Sequence, residues 1–65
     1  MTPTQSGLIK LANTLDKTTA DLDTAAIAVD AAGGPGHLVR AAARRTTEAR
    51  QDITDALTAL TEAQP

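Results

Sequence analysis

The chain has 65 residues, contains no cysteine, phenylalanine, tyrosine or tryptophan, and carries a net charge of −2. This length allows one small domain without a large enclosed cleft. The missing residue types exclude disulfides, thiolate metal sites, cysteine nucleophiles and aromatic platforms for stacking nucleic-acid bases. The acidic excess argues against a general polyanion binder.

The first predicted element is a helix over residues 3–32. Thr2, Pro3 and Gln5 match a capping box, in which Thr2 is the N-cap, Pro3 the first helical residue and Gln5 the residue that reaches back. The start of the chain has no basic segment followed by an apolar run, and no stretch approaches the roughly 18 apolar residues that span a bilayer. We therefore expect no contact with a membrane and a cytoplasmic location.

A glycine-rich turn follows over residues 33–36. Three glycines and a proline in four residues end a helix, and Gly33 suits the left-handed position after a helix C-terminus. The turn is not a phosphate loop, because His37 and Leu38 follow Gly36 where a Walker motif needs lysine and a hydroxyl. A second helix is predicted over residues 36–63, and the short connection makes the two helices antiparallel. The predicted fold is therefore an all-α, antiparallel two-helix hairpin that forms a single domain.

Both predicted helices carry a seven-residue repeat, which is typical of a coiled-coil seam. In the first helix the repeat comprises two sets, Leu8, Leu15, Leu22 and Val29 with Leu11, Thr18, Ala25 and Ala32. In the second helix the sets are Val39, Thr46, Ile53 and Leu60 with Ala42, Ala49, Ala56 and Ala63. We expect the register that places Leu22 opposite Ala49, because most layers then set a large side chain against a small one.

An alanine-rich seam between two helices buries little apolar area, so we expect the hairpin to associate with another helical surface. The simplest closed assembly is a homodimer that forms a four-helix bundle, and the alternative is docking on a larger helical protein. The predicted partner face consists of apolar residues outside the predicted seam, namely Ile9, Ala12, Ala26, Ala43 and Leu57.

A basic cluster at the start of the second helix is the other candidate site. His37, Arg40, Arg44 and Arg45 lie near backbone N–H groups that could hold an anion or a nucleic-acid phosphate. The competing interpretation is ion pairing with acidic residues such as Asp30 on the facing helix.

The sequence offers no catalytic constellation. His37 is the only histidine and Ser6 the only serine, and neither has partners for metal binding or nucleophilic catalysis. We expect no enzymatic activity, cofactor, metal or small-molecule substrate. The predicted function is a protein–protein interaction module, such as a small adaptor, inhibitor, or assembly or regulatory subunit. The alternatives are a nucleic-acid-binding accessory protein and a structural component of a larger particle.

Overall fold

Two long helices pack side by side in a computed structural model that describes residues 2–63. Helix α1 spans Pro3–Ala31 and helix α2 spans Gly36–Ala63. The connection is only four residues long, so the helices run antiparallel along their whole length. The predicted all-α hairpin is confirmed, and α1 ends one residue before the predicted boundary.

The predicted capping box begins α1. The backbone N–H of Gln5 donates to Thr2 Oγ1 at 3.1 Å, and the backbone N–H of Thr2 donates to Gln5 Oε1 at 3.0 Å. Two of the N–H groups that a helix start leaves without an intrahelical partner are thereby satisfied. Gln5 is also buried against the hairpin, so the cap is part of the packing.

The end of α1 forms a Schellman motif. Gly33 has a φ of +79°, the left-handed conformation that glycine adopts without a steric penalty. The N–H of Gly33 donates to the carbonyl of Asp30 at 2.9 Å, and the N–H of Gly34 donates to that of Val29 at 2.8 Å. The chain therefore reverses directly after the last turn of α1, as the glycines predict.

The seam between the helices contains only half of the predicted residues. In α1 the buried or half-buried residues are Gln5, Leu8, Ile9, Ala12, Leu15, Thr19, Leu22, Ala26 and Val29. In α2 the buried or half-buried residues are Gly36, Val39, Ala41, Ala42, Ala43, Thr46, Ala49, Arg50, Ile53, Thr54 and Leu57. The line from Leu8 to Val29 was predicted correctly, whereas Leu11, assigned to its companion line, is 53% exposed. In α1 the seam lies on the other side of the line from Leu8 to Val29, whereas in α2 Ala42 and Ala49 of the predicted companion line are half-buried.

The register also differs from the predicted one. Thr19 Oγ1 lies 2.6 Å from Thr46 Oγ1, which brings Leu22 level with Ala43 instead of Ala49. The difference of six residues corresponds to about 9 Å along the helix axis. The short turn is the physical reason, because α2 begins at Gly36, immediately below the end of α1. Large and small side chains still alternate, since Leu22 lies level with Ala43.

The hairpin has a thin core. Its buried apolar residues are Ala12, Ala26 and Ala43, and no large side chain between residues 2 and 63 is fully buried. The accessible surface is 4574 Å², whereas about 3,900 Å² is expected for a compact monomer of 6.7 kDa. The hairpin is thus a rod with extents of 54 × 15 × 9 Å, and it exposes more surface than a globular chain of its size.

Candidate interaction surface

The centre of the predicted basic cluster is occupied by an ion pair. Arg40 Nη1 lies 2.6 Å from Asp30 Oδ2 across the turn end of the hairpin. The hydrogen bond from Arg40 holds the pKa of Asp30 below its ordinary value, against partial desolvation, and the N–H of Gly36 and the charge of His37 lower it further. The same hydrogen bond raises the pKa of Arg40. Arg40 therefore serves to join the two helices.

The Asp30 carboxylate packs directly against Gly36. A β-carbon at position 36 would overlap the Asp30 carboxylate and approach the carbonyl oxygen of Ala26 to 2.8 Å. Gly36 is buried, and α2 begins there in close contact with the last turns of α1. The absence of a side chain is therefore what allows the start of α2 to lie directly against α1.

The remaining basic residues do not form one cluster. His37, Arg44 and Arg45 are exposed. His37 and Arg44 occupy equivalent positions of the seven-residue repeat on one side of α2, whereas Arg45 lies around the helix on the opposite broad side. With Arg40 paired, the structure divides the four predicted anion contacts between an ion pair and two separate surfaces.

The predicted partner face lies largely inside the hairpin. Ala12, Ala26 and Ala43 are 5%, 1% and 5% exposed, respectively, and they form the interface between α1 and α2. Ile9 and Leu57 are half-buried at the open end of the hairpin. These five residues hold the hairpin together, so an outside partner could reach the three alanines only by separating the helices.

One broad side of the hairpin carries no charge along its whole length. We define this uncharged face by two lines of residues in each helix, each with a spacing of seven residues. In α1 the lines begin at Leu8, the leucine line, and at Leu11; in α2 they begin at Val39 and Ala42. Its members in α1 are Leu8, Leu11, Leu15, Thr18, Leu22, Ala25, Val29 and Ala32. Its members in α2 are Val39, Ala42, Thr46, Ala49, Ile53, Ala56, Leu60 and Ala63. The repeat that predicted a two-helix seam therefore contains one line of that seam and a second line of small and apolar residues beside it.

Ion pairs distinguish the opposite broad side. Arg50 Nε lies 2.9 Å from Asp16 Oδ1 in a bent arrangement, which makes this contact an ion pair without an aligned hydrogen bond. The aliphatic stem of Arg50 covers the seam while its charged end reaches Asp16 at the edge. Together with Asp30–Arg40, this pair closes one flank of the seam and leaves the uncharged face as the open flank.

Exposed apolar side chains are concentrated around the uncharged face. Leu11 and Leu60 belong to it, and Leu38, 59% exposed, stands at its edge. Ile27, 71% exposed, lies on the other side of α1 and has no large apolar neighbour at equivalent positions of the repeat. Isolated exposed apolar residues such as Ile27 are normal on protein surfaces, whereas a continuous apolar surface indicates an interaction site.

The rim of the uncharged face carries three charges, of which sequence reasoning assigned only Arg45 to a candidate site. Asp21 stands on the outer edge of α1, and Arg45 and Asp52 stand on the outer edge of α2. In the observed register Asp21 and Arg45 lie at nearly the same height, on opposite edges of the face. The seven-residue repeat could have identified this arrangement once the register was known.

The surface formed by residues 2–63 has no pocket, and these residues include no group of three His, Asp or Glu side chains placed to share a metal ion. Within the same part of the chain, neither helix is long and apolar enough to cross a bilayer. Comparison with protein-family models, with curated proteins and with solved structures finds no match for this chain.

Proposed function

We propose that this protein is a non-enzymatic protein–protein interaction module that acts through the uncharged face. A small adaptor, inhibitor, or assembly or regulatory subunit works in this way. The observation that supports this proposal is the combination of a continuous uncharged face with a core whose buried apolar residues are three alanines. Such a hairpin gains little free energy from its own packing and more from a helical surface that covers the face.

The width of the apolar surface supports this proposal. In each helix three lines of residues occupy adjacent positions of the repeat. In α1 they are the seam line of Ala12 and Ala26, the leucine line, and the third line, which begins at Leu11. The first of these lines is interrupted by polar residues, Gln5 and Thr19 in α1 and Arg50 in α2. Three mainly apolar lines per helix are typical of helices that pack against more than one neighbour, whereas an isolated two-helix seam needs two lines. Within the hairpin only Ala42 and Ala49 of the third line are half-buried, so its other members supply packing surface that the hairpin itself does not use.

The size of the face also supports the proposal. The broad side of the hairpin measures 54 by 15 Å, and the product of these extents is on the order of 800 Å². Stable protein–protein interfaces bury about 800 Å² per partner. Full coverage of the face would thus provide an interface of the usual size.

A pair of matched substitutions tests this function. Ala56 lies on the uncharged face and Ala20 lies away from it, and both are exposed. We expect Ala56→Glu to abolish association in sedimentation equilibrium, and Ala20→Glu, with the same change in charge, to leave it intact. Interference optics suit the measurement because the chain has no tryptophan or tyrosine.

Helicity and thermal unfolding across a concentration series provide the second readout. If the face must be covered, the free hairpin is poorly helical and its melting temperature rises as the covering partner is added or as the chain concentration increases. A fully helical monomer that melts cooperatively at a concentration-independent temperature would contradict the proposed function.

A further inference from the structure

We propose that the uncharged face is covered by a second copy of this chain, related to the first by a twofold axis parallel to the hairpin. This inference rests on the proposed function and names its partner. In such a dimer α1 of each copy packs against α2 of the other, and both turns lie at the same end. The result is a four-helix bundle in which neighbouring helices are antiparallel.

The symmetry leaves no freedom in the register of this dimer. A twofold axis along the hairpin moves each residue to the same height on the second copy. The observed pairing of Thr19 with Thr46 therefore determines which residues of the two copies meet. Since symmetry and the hairpin alone set this register, complementary side chains at equal heights support the dimer.

The line of α1 that contains Leu8, Leu15 and Leu22 is sterically complementary to the second copy at these heights. On α1 the large residues Leu8, Leu15 and Leu22 come level, within about one residue rise of 1.5 Å, with small residues of the second copy. Those small residues are Ala56, Ala49 and Ala42, respectively. Alternation of large and small side chains lets two helix surfaces interdigitate without voids. Thr18 comes level with Thr46 of the second copy, so polar side chains also meet.

The rim is complementary in charge at the height of Asp21. Asp21 comes level with Arg45 of the second copy, and the symmetry produces this pair twice. Further along the same edge, Ala28 comes level with Leu38 of the second copy, which covers that exposed side chain. The charges at the edge therefore favour a second copy in this orientation.

A reciprocal charge exchange tests the orientation. Arg45→Glu and Asp21→Arg each convert two attractive pairs into two repulsive ones, and we expect either variant alone to dimerise at least about tenfold more weakly than wild type. An equimolar mixture of the two variants should regain wild-type dimerisation. In each mixed dimer Asp21 of the Arg45→Glu chain attracts Arg45 of the Asp21→Arg chain at one edge. At the opposite edge the introduced glutamate attracts the introduced arginine. Sedimentation equilibrium of the full chain measures all three affinities.

Arg44→Glu is the matched control. Arg44 is the neighbour of Arg45 and lies on the opposite broad side, so the same change in charge should leave the affinity unchanged. Raising the salt concentration should reduce the difference between Arg45→Glu and wild type, because exposed charges are screened.

The outcomes separate this inference from the proposed function. Loss of the dimer in Ala56→Glu without recovery in the charge-exchanged mixture would overturn the twofold arrangement and leave the interaction face in place. A poorly helical wild-type monomer at every concentration would overturn the second copy as the partner. A stable, fully helical monomer would overturn both proposals.

Discussion

Thr19 and Thr46 join the two helices through hydroxyl oxygens that lie 2.6 Å apart near the middle of the seam. The Thr19 hydroxyl also lies 2.9 Å from the carbonyl oxygen of Leu15, and the Thr46 hydroxyl lies 2.8 Å from that of Ala43. Two hydroxyl hydrogens cannot supply three hydrogen bonds, so the bond between the helices replaces a bond within one of them. This exchange places a hydroxyl contact between the helices at one height of the seam and thereby favours one register.

The first prediction concerns this register. Thr19→Cys combined with Thr46→Cys should form a disulfide readily under mild oxidation, because the two hydroxyl oxygens already lie in contact. Leu22→Cys combined with Ala49→Cys should not, because these positions differ in height by about 9 Å. Mobility on a denaturing gel with and without reductant measures both pairs at a concentration low enough to suppress intermolecular bonds. Preferential closure of the second pair would contradict the observed register.

The second prediction contrasts two glycines. Gly36→Ala should destabilise the hairpin by about 1–3 kcal/mol, because the new β-carbon meets the Asp30 carboxylate and the Ala26 carbonyl oxygen. Gly7→Ala should stabilise it by roughly 0.5–1 kcal/mol, because Gly7 lies within α1 with nothing near the added carbon. Urea unfolding followed by far-UV circular dichroism, at one protein concentration, gives both free energies. Equal effects of the two substitutions would show that α2 does not begin against Asp30.

The third prediction concerns acid. The pKa of Asp30 is lowered from its ordinary value of 3.8, chiefly by the hydrogen bond from Arg40, so the ionised carboxylate stabilises the folded state. This contribution is fully present above the unfolded pKa and is lost as the pH falls through the lower, folded pKa. Asp30→Asn should therefore be less stable than wild type at neutral pH, and the difference should shrink as the pH falls below about 4.

The matched control for the acid prediction is Asp55→Asn, which removes an exposed carboxylate that bonds only within α2, to Gln51. Urea unfolding across a pH series distinguishes the two variants. A difference between wild type and Asp30→Asn that stays constant at acidic pH would show that the Arg40–Asp30 pair does not contribute to stability.

Local signals in the sequence predicted the helix cap and the turn, whereas the residues of the seam depend on packing between the helices. The capping box at Thr2 and the left-handed Gly33 were predictable because each depends on a few adjacent residues. The side of the leucine line that meets the other helix was not predictable, because small residues flank that line on both sides. The packing brings together residues that are distant in sequence, such as Asp16 and Arg50.

For the candidate site, too, the repeat was predictable from the sequence and its packing role was not. The seven-residue repeat located every member of the uncharged face, but it assigned those residues to the hairpin seam. Ala12, Ala26 and Ala43 were assigned to a partner face because they fell outside that repeat, and their burial places them in the core. The repeat alone could not separate these roles, because an alanine fits equally well in a close helix contact and on an exposed helix surface.

The last prediction separates these two surfaces. Leu57 faces α1 from the seam, whereas Leu11 lies on the uncharged face and is largely exposed within the hairpin. Leu57→Asp should therefore unfold the hairpin, because an unpaired carboxylate would be placed between the helices. Leu11→Asp should leave the hairpin able to fold and should prevent association through the uncharged face.

A disulfide between positions 19 and 46 makes the two effects measurable apart. In the crosslinked Thr19→Cys/Thr46→Cys background, the hairpin is held together and helicity reports local packing without association. We expect Leu57→Asp to lower far-UV helicity in this background and Leu11→Asp to leave it near that of the crosslinked parent, while sedimentation shows loss of association for Leu11→Asp. Loss of helicity with Leu11→Asp and retention with Leu57→Asp would place the seam on the predicted companion line and the interaction face at Leu57.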